Sequence, residues 1–160
     1  MPPGAEVCIL GTGGAARAAF AACRLRDVSL VLSSSRKPEA GRELLERFEF
    51  GGSYDPLADA HNIHTAEVII NATPLGMAGH EPMPRAVLEY LADPMPGAAV
   101  LDMVYSPLET EFLRVAAEAG CRTVDGLAML IGQAAAAFEK FFGQPAPREH
   151  DAELRALLTS

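Results

Sequence analysis

Six small residues, Gly11-Thr12-Gly13-Gly14-Ala15-Ala16, follow directly on the apolar run Val7–Leu10 and open a segment with helical periodicity. Glycine at the first position permits a tight turn, and glycine at the second lets a diphosphate approach the backbone. A small third position, Ala16, lets helix and strand pack closely while the helix N-terminus faces the negative charge. The pattern is that of a dinucleotide-binding loop, although an ordinary strand-to-helix turn uses the same residues. About 20 residues further on, NAD-binding domains usually offer a carboxylate and NADP-binding domains a cation. Here the chain reads Ser33-Ser34-Ser35-Arg36-Lys37, with no carboxylate before Glu39. Two adjacent cations flanked by hydroxyls suit a 2′-phosphate, which favours NADP(H) as cofactor over NAD. The alternative is a solvated basic turn.

Were such a cofactor used to reduce a ketone by hydride, a group that protonates the developing alkoxide would also be needed. Four residues after Tyr54, Tyr90 and Tyr105 come Ala58, Pro94 and Glu109, so there is no Tyr-x-x-x-Lys arrangement. Lys37 is assigned to the phosphate, and Lys140 lies near the far end of a helix among phenylalanines. No catalytic residue is therefore expected within this chain. His61, His64, His80 and His150 show no metal-ligand pattern, and Cys8, Cys23 and Cys121 are widely spaced; no metal site is expected, and the thiols read as buried and reduced. Asp102, at a strand end, reads as a structural acceptor rather than a base.

Short apolar runs alternate with longer segments of helical period, the mark of a parallel α/β sheet. Strands are expected at Val7–Leu10, Ser29–Ser33, Gly52–Tyr54, Val68–Asn71, Ala99–Asp102 and Arg122–Val124. Helices are expected at Gly14–Leu25, Pro38–Phe48, Leu57–His61, Pro84–Leu91, Leu108–Ala119, Leu127–Phe142 and Asp151–Leu158. Ser106-Pro107-Leu108-Glu109 predicts a capped start for the fifth of these, and Gly120 its end. Asp125 can cap the long one, whose stripe is Leu127, Leu130, Ile131, Ala134, Phe138, Phe141 and Phe142. The fold class is a Rossmann-like, doubly wound α/β domain with a mainly parallel six-stranded sheet in the order 3-2-1-4-5-6 and helices on both faces. In that order the loop after the fourth strand overlooks the cofactor, which places Thr73-Pro74 well. Met129 and Gln133, four apart, share a helix face distinct from the apolar stripe; without a cofactor they read as core and surface.

The chain has 160 residues, of which 49% are hydrophobic and 21% charged, with a net charge of −8. That length fits one domain, residues 1–160, with a core that needs no disulfide or metal. An acidic balance with Lys37 and Lys140 as its only lysines argues against nucleic acid. No apolar run is long enough to span a bilayer, so no membrane role is expected. The start, Met1-Pro2-Pro3-Gly4-Ala5-Glu6, lacks the regions of a signal peptide, and a cytoplasmic location is expected.

Four motifs make a wider resemblance. Gly11-Thr12-Gly13-Gly14-Ala15-Ala16-Arg17-Ala18 is followed by Asn71-Ala72-Thr73-Pro74-Leu75-Gly76-Met77 and by Asp102-Met103-Val104-Tyr105-Ser106-Pro107 with Thr110. Asp125-Gly126-Leu127-Ala128-Met129-Leu130 then precedes Gln133, Ala137-Phe138-Glu139 and Gly143. In this order they resemble the shikimate dehydrogenase family, from about Val7 to Gly143, over its C-terminal, cofactor-binding half alone. The resemblance implies that an N-terminal substrate domain, carrying a Ser-x-Ser pair and the catalytic Lys and Asp, is missing. It also implies that helices 126–142 and 151–158 pack toward that domain.

Residue by residue, the resemblance implies that Gly11, Thr12, Gly13, Gly14 and Ala15 cradle the diphosphate. Ser35-Arg36-Lys37 looks like the family's Asn-Arg-Thr, so Arg36 inherits the 2′-phosphate; a further family Arg falls on Ala40, a departure Lys37 can offset. Asn71, Ala72 and Thr73 would lie along the nicotinamide ribose and Met103 and Val104 beside the nicotinamide. Gly126 would meet its carboxamide through the backbone, and Met129 would pack on its ring. Tyr105 and Gln133 match positions that touch shikimate across the interdomain cleft. The expected activity is the reversible reduction of 3-dehydroshikimate by NADPH in aromatic amino-acid biosynthesis, with this chain alone inactive. Alternatives are a non-catalytic NADPH-sensing module, with the helix at Leu127–Phe142 as its docking face, and the cofactor domain of a quinate dehydrogenase. A dimer is also considered, since removal of a partner domain exposes apolar surface.

Overall fold

In a computed structural model that describes residues 3–159, strands β1 (Glu6–Leu10), β2 (Leu30–Ser35), β3 (Tyr54–Pro56), β4 (Val68–Asn71), β5 (Ala99–Asp102) and β6 (Arg122–Val124) form one sheet. All pairings are parallel and the order is β3-β2-β1-β4-β5-β6, the expected topology. Cys8 of the central strand is in register with Leu32 on one side and Ile69 on the other. Met1 and Pro2, which begin the segment read for a leader, fall outside the described residues, as does Ser160.

A strand buried on both faces must be apolar at every position. In β1, Cys8 and Leu10 point into one core layer and Val7 and Ile9 into the other. The first layer holds helices α3 (Arg85–Leu91) and α4 (Glu111–Glu118), through Val87, Leu91, Phe112 and Leu113. The second holds α1 (Gly14–Leu25) and α2 (Pro38–Arg47), through Phe20, Leu44 and Leu45. The long α5 (Gly126–Phe142) and the short α6 (Asp151–Leu158) complete the chain.

Several boundaries differ from the sequence reading. Strand β2 runs to Ser35 instead of ending at Ser33, because all three serines are buried where β2 pairs with β1 and β3 rather than solvated. The helix expected at Leu57–His61 is two 3-10 turns, Leu57–Asp59 and His61–His64. Helix α4 begins at Glu111, not Leu108. Its cap is Thr110, whose hydroxyl accepts from the Leu113 N–H at 3.2 Å, while Ser106-Pro107 is a cis peptide in the loop before it. Asp125 does cap α5, accepting from the Ala128 N–H at 2.9 Å. The buried face of α5 is Gly126, Leu127, Ile131 and Ala135; Phe138, Phe141 and Phe142 of the expected stripe remain exposed.

Candidate cofactor site

The C-terminal ends of β1, β2 and β4 converge where the chain order reverses, around a cleft of about 600 Å³. Gly11, Thr12 and Gly13 form one wall, Ser35, Arg36 and Lys37 another, and Ala72, Thr73, Pro74 and Leu75 a third, with Leu57 below. Gly14 and Ala15, expected with them, are exposed first residues of α1 beside that lining. Gly11 has φ +108°, and a Cβ there would sit 2.9 Å from Thr73 Cγ2 and 3.0 Å from the Ala72 carbonyl oxygen, so only glycine fits. At Gly13 a Cβ would meet nothing within 4 Å. The fold itself makes no demand for glycine there, and the open space leads from the start of α1 into the cleft, which fits a diphosphate.

Ser35 is buried, and its hydroxyl closes a turn by donating to the Lys37 carbonyl at 2.7 Å and accepting the Lys37 N–H at 3.1 Å. That turn leaves Arg36 and Lys37 exposed on the rim. Arg36 Nη1 lies 3.7 Å from Glu81 Oε2, a carboxylate from the loop after β4. Ser33 and Ser34 hydroxyls are buried without a hydrogen-bond partner among the described residues.

Beneath the cleft lies a buried hydrogen-bond network. Asn71 Nδ2 donates to Asp102 Oδ1 at 2.8 Å, and Asn71 Oδ1 accepts from the Thr73 N–H at 3.0 Å and the Thr73 hydroxyl at 2.7 Å. Asp102 also accepts from the Val104 N–H at 3.0 Å and from the Thr110 hydroxyl at 2.6 Å. Burial raises the Asp102 pKa, and the hydrogen bonds from Thr110, Val104 and Asn71 work against that rise.

The remaining predicted residues sit on the β5 side. Met103, Met129 and Gln133 share a largely apolar hollow of about 400 Å³ between α1, β4, β5 and α5, lined also by Ala18, Ala22 and Ile70. Met129 and Gln133 thus do share one face. Val104 is buried, and its carbonyl accepts the Gly126 N–H at 3.2 Å. A Cβ on Gly126 would lie 2.4 Å from that carbonyl oxygen, so glycine there serves close packing of α5 on the β5 loop. Tyr105 is 51% exposed. Val104, Gly126 and Tyr105 line neither hollow.

Pro74 lines the cleft as the strand order led us to expect, and Leu57 and Leu75 line it without having been singled out; Leu57 lies in a short turn whose apolar signal reads as core. The Asp102–Thr110 contact links residues eight apart through a loop and has no periodic signature. Burial pushes the Cys8 thiol up to about 12 and that of Cys23 up to about 11. His61 Nδ1 sits 3.0 Å from the Asp59 carbonyl oxygen, and the His64 ring packs edge-on against Tyr90, so the two turn to separate neighbours. Among the described residues no helix is long and apolar enough to cross a membrane.

Comparison with known proteins bears on this arrangement. A family model described as the shikimate 5′-dehydrogenase C-terminal domain matches residues 126–153. The shikimate dehydrogenase (NADP(+)) of Sphingopyxis alaskensis is 44% identical over 158 residues, which cover 98% of this chain and 55% of that protein. The chain therefore spans about half the length of the curated relatives it matches. Among solved structures, the quinate dehydrogenase from Corynebacterium glutamicum in complex with NAD gives a TM-score of 0.79 at 28% identity, covering 95% of this chain and 55% of that one. The shikimate 5-dehydrogenase from Thermus thermophilus in complex with NADP(H) and shikimate gives 0.76 at 32% identity, covering 92% and 52%.

Proposed function

Because the chain belongs to the shikimate dehydrogenase family over about half of its members' length, we propose that it is the NADP(H)-binding half of a shikimate dehydrogenase-like oxidoreductase. The whole enzyme would interconvert 3-dehydroshikimate and shikimate. The observation that carries this reading is the cleft at the sheet's switch point, where the glycine loop, two rim cations and the loop after β4 face one another.

When bound, the nicotinamide supplies or accepts the hydride. The chain's own residues hold and orient the cofactor. Arg36 and Lys37 neutralise the 2′-phosphate, and the buried Ser35 turn fixes their direction. Gly11, Thr12, Gly13, Gly14 and Ala15 leave the α1 N-terminus open to the diphosphate. Asn71, Ala72 and Thr73 form the ledge for the nicotinamide ribose. Met103 and Met129 would make the dry side of the nicotinamide pocket, with Val104 and the Gly126 backbone packed behind them, and Tyr105 and Gln133 would face the substrate. The acid–base group belongs to the other half, which would rest on the apolar side chains exposed at the end of α5 and on α6. A quinate-type substrate is the second reading, favoured by the similarity to the Corynebacterium glutamicum enzyme.

Calorimetric titration of the chain with NADPH and, separately, NADH tests the cofactor assignment. Clear preference for NADPH is expected, and equal affinities would refute the phosphate role of the rim cations. Mixing the chain with the substrate-binding half of a relative should restore shikimate-dependent NADP reduction. An NADPH sensor with no catalytic partner would give none.

A further inference from the structure

We propose that Asp102, with Asn71 and Thr110, is a positioning centre that locks the two loops of the nicotinamide end to each other, independently of the adenosine end. This rests on the cofactor reading above and adds to it Asp102 and Thr110, which line neither hollow.

The polarity of every bond in the network follows from one buried anion. Asp102 is fully buried, and the Asn71 amide, the Val104 backbone N–H and the Thr110 hydroxyl all donate to its carboxylate. Through the Val104 N–H it holds the loop that follows β5. Through Asn71 it holds the loop that follows β4, because the same amide's oxygen accepts twice from Thr73, whose hydroxyl in turn accepts the Leu75 N–H at 3.2 Å. Through Thr110 it reaches the start of α4, where that hydroxyl also accepts the Leu113 N–H. Two loops from different crossovers, and the helix behind them, thus depend on a single carboxylate. Among the described residues no hydrogen bond joins Asn71, Asp102 or Thr110 to Arg36 or Lys37, and the Lys37 backbone is held by the separate Ser35 turn.

An asparagine at 102 could not replace this arrangement. Its amide NH₂ would face either the Asn71 and Val104 donors or Thr110, whose own proton would then have no acceptor. The loss should fall on the nicotinamide end and spare the adenosine end.

The test titrates the chain, Asp102→Asn and Thr110→Val with NADPH and with 2′,5′-ADP, which carries the adenosine end alone, and records the fluorescence of bound NADPH. Folding of each variant is checked by circular dichroism. For Asp102→Asn we expect NADPH affinity to fall roughly fivefold to tenfold, the scale of a frustrated buried hydrogen bond. The 2′,5′-ADP affinity should stay near that of the unmodified chain, and the emission of bound NADPH should move toward that of free cofactor. Thr110→Val should move the same ratio in the same direction by a smaller factor, and it decides the matter if Asp102→Asn does not fold. Folded variants with an unchanged ratio, or with equal losses for both ligands, would overturn the proposal. Arg36→Ala separates the two layers of argument. It should weaken both ligands together; if it weakens neither, the phosphate reading fails whatever Asp102→Asn does.

Discussion

Arg36 stands on the rim of the cleft with its guanidinium held, among the described residues, only by the exposed Glu81 carboxylate, 3.7 Å away. A solvated pair of that kind is worth little, so a dianionic phosphate can displace it. Arg36→Ala is expected to weaken NADPH binding by about 1.5–3 kcal/mol, the range for hydrogen bonds to a charged group, and to leave NADH nearly unchanged; paired calorimetric titrations check this. Gly126 makes a different kind of demand. With Val104 O at 2.4 Å from where a Cβ would go, Gly126→Ala must push α5 off the β5 loop and should cost at least about 1–3 kcal/mol of stability, read from a urea denaturation midpoint. The glycine loop was legible because a motif states its own geometry: Gly11 has the positive φ and the close neighbour that the pattern implies. Gly126 was placed from family resemblance as a ligand contact, whereas its visible reason for being glycine is a backbone carbonyl that no local pattern announces.

The elements were legible where hydrophobic period decides them and not where a distant partner does. Strands β1, β4 and β5 lie where the apolar runs put them. Strand β2 extends through Ser35 because β1 and β3 enclose it, a fact about its neighbours rather than about three serines. The start of α4 was misplaced by three residues for the same reason. Ser106 and Thr110 are both capping types, with serine the stronger, and Asp102, across the core, selects Thr110. Helix α6 depends on electrostatics more than on burial. None of its residues is buried, and Arg155 pairs with Asp125, donating from Nη1 at 3.0 Å and also from Nη2, at the start of α5. The hydrogen bond from Arg155 lowers the Asp125 pKa below its ordinary 3.8. A depressed acid contributes stability above its unfolded value and loses it as pH falls through its folded one. Acidification below 3.8 should therefore release α6 before the sheet unfolds, seen as early loss of amide protection in residues 151–158. Arg155→Ala should release it at neutral pH.

At the scale of the molecule, the C-terminal helices α5 and α6 carry several of the most exposed apolar side chains. Phe141 is 84% exposed, Phe142 65%, Leu157 68% and Leu158 59%. Large contiguous apolar surface drives association, so sedimentation should show self-association that rises with concentration. Phe141→Ser combined with Phe142→Ser should suppress it without altering NADPH affinity. The strand order has a consequence in time as well as in space. Cys8 finds Leu32 after one crossover but waits for Ile69 before its strand has a second neighbour. Chains whose sheets close through such distant pairings fold slowly, and the wall of the cleft that Gly11 shares with Ala72 and Thr73 arises only with that last pairing. A cofactor that recognises this wall has nothing to grip in earlier species. Saturating NADPH should therefore slow unfolding and leave the rate of refolding untouched, so that in a newly made chain the ligand acts as a keeper of the finished fold and not as its template.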